Sequence, residues 1–217
     1  LYTDSIIIDS KSEAENDISE IPTSNDWTAP KNNVFKGNVI KTAAYSNGEM
    51  ISKIFAKSYF VYQQDKRKYS LPIVSLIINP DDLFSADHGI YVKGNNDNFS
   101  RKGRDWERIA YFEFFNSLGT LQYEQKAGIR TYGNKGRTLA QKSLLLYARE
   151  DYGSNKFRHS FFENKNSSNS FKRLILRSAS SNDWKNTMFK NELAQKISLN
   201  LNFNHPNSKA VIVFING

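Results

Sequence analysis

The stretch Gly128–Arg149, GIRTYGNKGRTLAQKSLLLYAR, constrains this chain more than any other. Ile129 and Thr131 on one side, and Leu144 and Leu146 on the other, alternate as strand residues do. Between them lies a glycine turn, Gly133-Asn134-Lys135-Gly136, so the segment reads as strand, turn, strand. Lys142 opens the second strand just ahead of its apolar run. Glycines let backbone N–H groups come close to oxyanions, and a lysine behind them adds a point charge, which is one way to build a phosphate cradle. The same residues also suit an ordinary hairpin whose lysine alternates with apolar neighbours.

The rest of the chain is rich in short strand patterns. Val39-Ile40 and Thr42–Tyr45, the turn Ser46-Asn47-Gly48 and the return from Ile51 to Val61 predict a small β-sandwich over residues 1–65. Gln63–Tyr69 is a charged break and sets the boundary to a second unit, residues 66–217. In that unit Leu71–Ile78, Trp106–Asn116 and Phe171–Arg177 read as strands, and Pro80–Phe84 as a short helical turn. Trp184–Leu199 is the main helix, capped by Asn182 or Asp183, with Met188, Leu193, Ile197 and Leu201 on one apolar face. The expected class is therefore α+β, mostly β: a small sandwich followed by a mixed sheet with one main helix. Lys209–Ile215 is an apolar strand that runs into Asn216-Gly217, a strong hairpin-turn signal. A strand ending at an unused turn would leave an unpaired, association-prone edge, as expected of a fragment cut there.

Charge and cysteine content narrow the function classes. The formal net charge is +8, but residues 1–30 hold seven acids and one base, which leaves +14 for the rest. The basic residues are scattered among Asn and Ser without an arginine-rich helix, so they read as solvated surface rather than a nucleic-acid face. With no cysteine, the chain has no disulfide scaffold, thiolate zinc site or cysteine nucleophile. No apolar run reaches the length of a membrane-spanning helix. His88, His159 and His205 lie far apart without metal-ligand spacing.

Four runs taken in order, Leu71–Asn95, Trp106–Gly119, Lys126–Phe157 and Leu174–Ile197, resemble the N-terminal part of the spore-coat protein H (CotH) kinase family. The most specific pieces are LPIVSLI…DDLF…GIYVKG, WER…FEFF and GIR-x-x-G-N…QKS. Ile40–Ser52 is similar to a strand pattern of the accessory β-domain at the C-terminus of chitobiases and β-hexosaminidases. The CotH resemblance implies a secreted, cell-surface or spore-coat protein with an atypical kinase-like fold. It also implies that such a protein binds ATP and magnesium and phosphorylates serines on partner proteins. On this reading Gly133, Gly136, Arg137 and Lys142 hold the nucleotide, and Glu192 orients Lys142 from the helix. Arg130, Arg137 and Arg177 could each bind phosphate or simply a neighbouring carboxylate, with Arg137, next to Gly136, the foremost phosphate candidate, and Glu192 is equally readable as a solvated helix residue. The metal-binding and catalytic acids are expected beyond Gly217. The competing reading is a non-catalytic surface or coat protein that binds other proteins, or polysaccharide through its accessory module.

Overall fold

The computed structural model describes residues 4–62, 69–162, 168–179, 183, 185–198 and 206–217. Its centre is a six-stranded sheet built from β5 (Ile73–Ile78), β6 (Arg108–Phe115), β7 (Leu121–Tyr132), β8 (Ser143–Tyr147), β11 (Arg173–Leu176) and β12 (Ile212–Ile215). The spatial order is β11-β8-β7-β6-β5-β12. Every pairing is antiparallel except β12 with β5, which is parallel, so the sheet is mixed. The protein is α+β and mostly β, as the sequence pattern predicts.

Alternation decides which face of this sheet is buried. Val74, Leu76 and Ile78 of β5 share a face with Ala110, Phe112 and Phe114 of β6, Ala127 and Ile129 of β7, and Leu144 and Leu146 of β8. This is the main core. Leu83 of the short helix α1 (Pro80–Phe84), Ile90, Phe161 and Phe157, the last in a small antiparallel ribbon of β9 (Phe157–Arg158) and β10 (Ser170–Phe171), close over it. Asn79 caps α1 by accepting from the Asp81 N–H at 3.3 Å, and Pro80 occupies the first helical position, where no donor is needed.

The opposite face is covered over only part of its width. Residues 4–62 form two ribbons, β1 (Asn38–Thr42) with β4 (Phe55–Tyr59), and β2 (Tyr45–Ser46) with β3 (Glu49–Met50). The expected turn Ser46-Asn47-Gly48 joins β2 to β3, with Asn47 and Gly48 both at positive φ. Where a self-contained sandwich was expected, the second layer under β1–β4 is the large sheet itself. Ser58 donates its N–H to Glu113 at 3.0 Å, and its hydroxyl meets that of Ser75 at 2.6 Å. Phe35, Phe60 and Tyr62 pack beside Ile73, Phe115 and Phe214 in a second, aromatic cluster. The expected boundary at residue 65 falls outside the described residues.

Two further expectations change. β12 is paired on one side: it runs alongside β5 as the edge strand of the sheet, and Asn216 extends that register through its N–H to Leu76 and its side-chain oxygen to the Ile78 N–H. The main helix, α2, spans Lys190–Ile197 and begins later than the pattern suggests. Residues before it form turns around Asp183, whose carboxylate accepts from the Thr187 hydroxyl at 2.6 Å and the Lys190 N–H at 3.0 Å. Asp183 thus caps the helix across a turn rather than next to it. The intended apolar face is exposed at Met188, Leu193 and Ile197, and Leu201 lies outside the described residues.

Glu113 gives the fold a pH signature. It is 2% exposed, and burial raises its carboxyl above the ordinary value despite the Ser58 bond. The folded chain therefore holds this proton to higher pH than the unfolded chain, so stability falls as pH rises through that interval. Glu113→Gln keeps an acceptor for Ser58 and removes the ionisation. Urea unfolding at pH 5 and pH 8 should show the wild type losing stability relative to this variant at the higher pH.

Candidate functional site

A buried carboxylate organises the open half of the sheet. Glu107, just ahead of β6, has no side-chain exposure. Arg149 donates to it from Nε at 2.7 Å and from a terminal nitrogen at 2.8 Å, and Tyr152 donates its hydroxyl at 2.9 Å. Arg130 adds its charge at 3.9 Å. Burial opposes ionisation, but the bonds from Arg149 and Tyr152 and the charges of Arg149 and Arg130 outweigh it and hold Glu107 below the ordinary carboxylate range. Burial and the same carboxylate push the Tyr152 phenol up to about 12. Gly128 on β7 makes the arrangement possible, because a Cβ there would collide with the Glu107 carboxylate.

From this anchor Arg130 reaches along the sheet. Its guanidinium donates to the Gly103 carbonyl at 2.7 Å and to the Tyr147 hydroxyl, and it stacks 4.4 Å from the Tyr147 ring centre. Arg149 and Arg173 lie over the same ring at 4.8 and 5.4 Å. Beyond Arg130, at the end of β7, the surface opens into a groove of about 290 Å³. Arg101, Lys102, Arg130 and Arg137 line it, together with Tyr132 and Tyr147, and none of its lining residues is acidic.

Arg137 belongs to the 3-10 turn Lys135–Thr138 between β7 and β8 and is held by carbonyls. Nε donates to Gly133 at 2.6 Å, and one terminal nitrogen donates to Ser100 and Arg101 at 3.2 and 3.0 Å. Burial first, and the nearby Arg130 charge second, push it down from the usual guanidinium value. Gly133 needs its glycine, with φ at 99°, whereas Gly136 has negative φ and open space where a Cβ would stand. The arrangement can receive a phosphate or another polyanion through guanidinium forks. A second cavity of equal volume, between the ribbon and the sheet, is lined by Ile8, Tyr59, Phe60 and Phe115 among others and has no charged group.

Lys142 is placed elsewhere. It is 3% exposed, behind the turn, and its ammonium donates to the carbonyls of Thr23 at 3.0 Å and Leu139 at 2.6 Å. The faces of Phe99 and Tyr91 lie 4.7 and 5.3 Å away. Burial pushes it down to about 8. It does not line the groove, and no ion pair joins it to Glu192. Neighbouring Asn191, with its amide turned to match, accepts from Arg177 and ties α2 to the end of β11. Of the expected nucleotide residues, the structure brings Gly133, Arg137 and the further candidate Arg130 to one place. Lys142, Gly136 and Glu192 fall outside that set.

The residues missed from sequence are Glu107, Arg101, Lys102, Tyr132 and Tyr147. A glutamate opening an alternating strand, with a glycine in the facing strand, was the available signal for the first. The fold and the site together define a class: a β-rich α+β protein with a carboxylate-anchored, cationic groove at one end of a mixed sheet. Comparisons of the chain with family models, with curated proteins and with solved structures give no match. No described helix is long and apolar enough to cross a membrane.

Two outcomes follow from this geometry. Lys142→Met leaves the Thr23 and Leu139 carbonyls unpaired and should cost about 1–3 kcal/mol at neutral pH. A lysine depressed to about 8 from 10.5 is protonated more readily in the unfolded chain, so it adds stability as pH rises between those values. The gap between wild type and Lys142→Met in urea unfolding should widen across that window. Glu107→Ala uncovers the partly exposed Arg149 and the Arg130 charge, and should cost about 3 kcal/mol, the lower end for breaking a buried pair. The wild type should keep the Glu107 contribution above the carboxylate range and lose it as pH falls through the depressed value, whereas Glu107→Ala should lack that acid-dependent loss.

Proposed function

We propose that this chain supplies the phosphate-binding part of a CotH-like atypical protein kinase, and that it holds ATP by its phosphates in the groove of Arg101, Lys102, Arg130 and Arg137. The carrying observation is the convergence of those four cations, three of them (Arg101, Arg130 and Arg137) fixed by backbone carbonyls, with no acid in the lining. Like charges placed together are costly unless a ligand of opposite sign neutralises them. The order of the CotH-like runs, with Gly133 and Arg137 inside the GIR-x-x-G-N…QKS segment, supports the kinase form of the reading. On that reading the phosphate acceptors are serines of partner proteins, and the location is the cell surface or spore coat.

The groove's own residues suit phosphate and not the metal that accompanies it. Its lining is cationic, and among the described residues no group of three or more His, Asp or Glu side chains is placed to hold a metal ion. Ligands for magnesium would have to come from outside this lining. What these residues supply is binding and charge neutralisation of the phosphate oxygens.

Calorimetric titration with ATP at low ionic strength tests the reading. Saturable binding is expected, and Arg101→Gln with Lys102→Gln should weaken it by about 1–3 kcal/mol for each charged hydrogen bond lost, without unfolding the chain. Absence of ATP binding would sink the kinase reading and favour a non-catalytic surface or coat protein.

A further inference from the structure

We infer that Tyr132 is a stacking platform for the ring of the bound ligand, so that the groove selects a nucleotide over a bare polyphosphate. This rests on the phosphate-binding reading above and adds the part of the ligand that the cations do not address.

The groove has two aromatic residues, and only one has a ring free for a ligand. Tyr147 is 6% exposed, lies among Arg130, Arg149 and Arg173 at 4.4–5.4 Å, and has its hydroxyl bound by Arg130. Its faces are taken. Tyr132 is 40% exposed at the end of β7, and no ring or cation of the described residues stacks on it. Tyr132 follows Arg130 by two strand positions, so the two side chains leave the sheet on the same face. Both side chains line the groove.

Size separates the two halves of a ligand. A volume of about 290 Å³ is at the small end for a ligand site and suits phosphate groups rather than a whole nucleotide. A ligand seated by its phosphates must leave its remainder outside the cations, and Tyr132 is the exposed aromatic of the lining. A half-exposed aromatic there offers a π-face to a planar heterocycle, and such stacking tolerates any base. The expected ligand is a nucleoside di- or triphosphate held by charge at one end and by Tyr132 at the other.

The test compares ATP with inorganic tripolyphosphate on the full chain, in the wild type, Tyr132→Ala and Tyr132→Phe, by calorimetry. The wild type should bind ATP more tightly than tripolyphosphate. Tyr132→Ala should weaken ATP binding roughly 5- to 150-fold, the range a base–aromatic stack spans, and leave tripolyphosphate unchanged. Tyr132→Phe should behave as wild type. Unchanged tripolyphosphate binding also reports that the alanine variant is folded. Equal wild-type affinity for the two ligands, or an equal loss of both in Tyr132→Ala, overturns the platform while leaving the phosphate reading intact. Binding of neither ligand to the wild type overturns both.

Discussion

A carboxylate with no access to water has to be neutralised where it lies, and Glu107 is neutralised by three side chains from two separate segments. Arg149 follows β8 and caps the 3-10 turn that holds Tyr152, and Arg130 lies near the end of β7. One charge therefore fixes the start of β6, the crossing of β7 and the exit of β8. The need for Gly128 follows from the same charge, since any Cβ at that point would displace the carboxylate. Arg130 gains its direction as a consequence. With Glu107 behind it and Tyr147 beneath it, its guanidinium extends toward the groove.

The groove is a concentration of positive charge whose lining holds no acid, and of its cations only Arg130 has, among the described residues, a carboxylate nearby, Glu107 behind it at 3.9 Å. Carbonyl oxygens do the holding instead: Gly103 for Arg130, and Gly133, Ser100 and Arg101 for Arg137. A carbonyl fixes a guanidinium while leaving its formal charge uncompensated, whereas a carboxylate would cancel it. Buried counter-charge is used only one layer back, at Glu107. The acidic residues of the first thirty positions do not serve as counter-charge here, because none of them forms an ion pair in the described residues.

How much was legible depends on whether the deciding neighbour was near in sequence. The β7–β8 hairpin was legible, since its alternation and its glycine turn are local, and Ile129 and Leu146 do pair across it. The large strands and the mostly-β class were legible for the same reason. Lys142 was not, because its ammonium is claimed by the Thr23 carbonyl, 119 positions away. Without that partner, a lysine before an apolar run looks like a groove residue. Helix α2 began late because Asp183 spends its carboxylate on a turn, through Thr187, before reaching Lys190. Periodicity alone cannot see that detour. Arg101 and Lys102 lie in a polar loop with no periodic pattern, so only the folded chain brings them to Arg137.

The misplaced lysine has its own place in the architecture. Its two acceptors are Thr23 on the N-terminal segment and Leu139 directly after the 3-10 turn that holds Arg137. Thr23 closes the same junction from its side by donating its hydroxyl to Ala140 at 3.1 Å. The N-terminal segment is thereby stapled to the end of the loop whose other end forms the groove. A lysine suits this task because one ammonium can satisfy two carbonyls and still rest on the faces of Phe99 and Tyr91. The cost is a buried charge, and the depression to about 8 is its measure. The loop between β7 and β8 is thus clamped at both ends by cations on carbonyls: Arg137 on Gly133 at the groove side and Lys142 on Leu139 at the core side. The glycine turn is tied down at both ends by these bonds, and those of Arg137 hold its guanidinium at the groove.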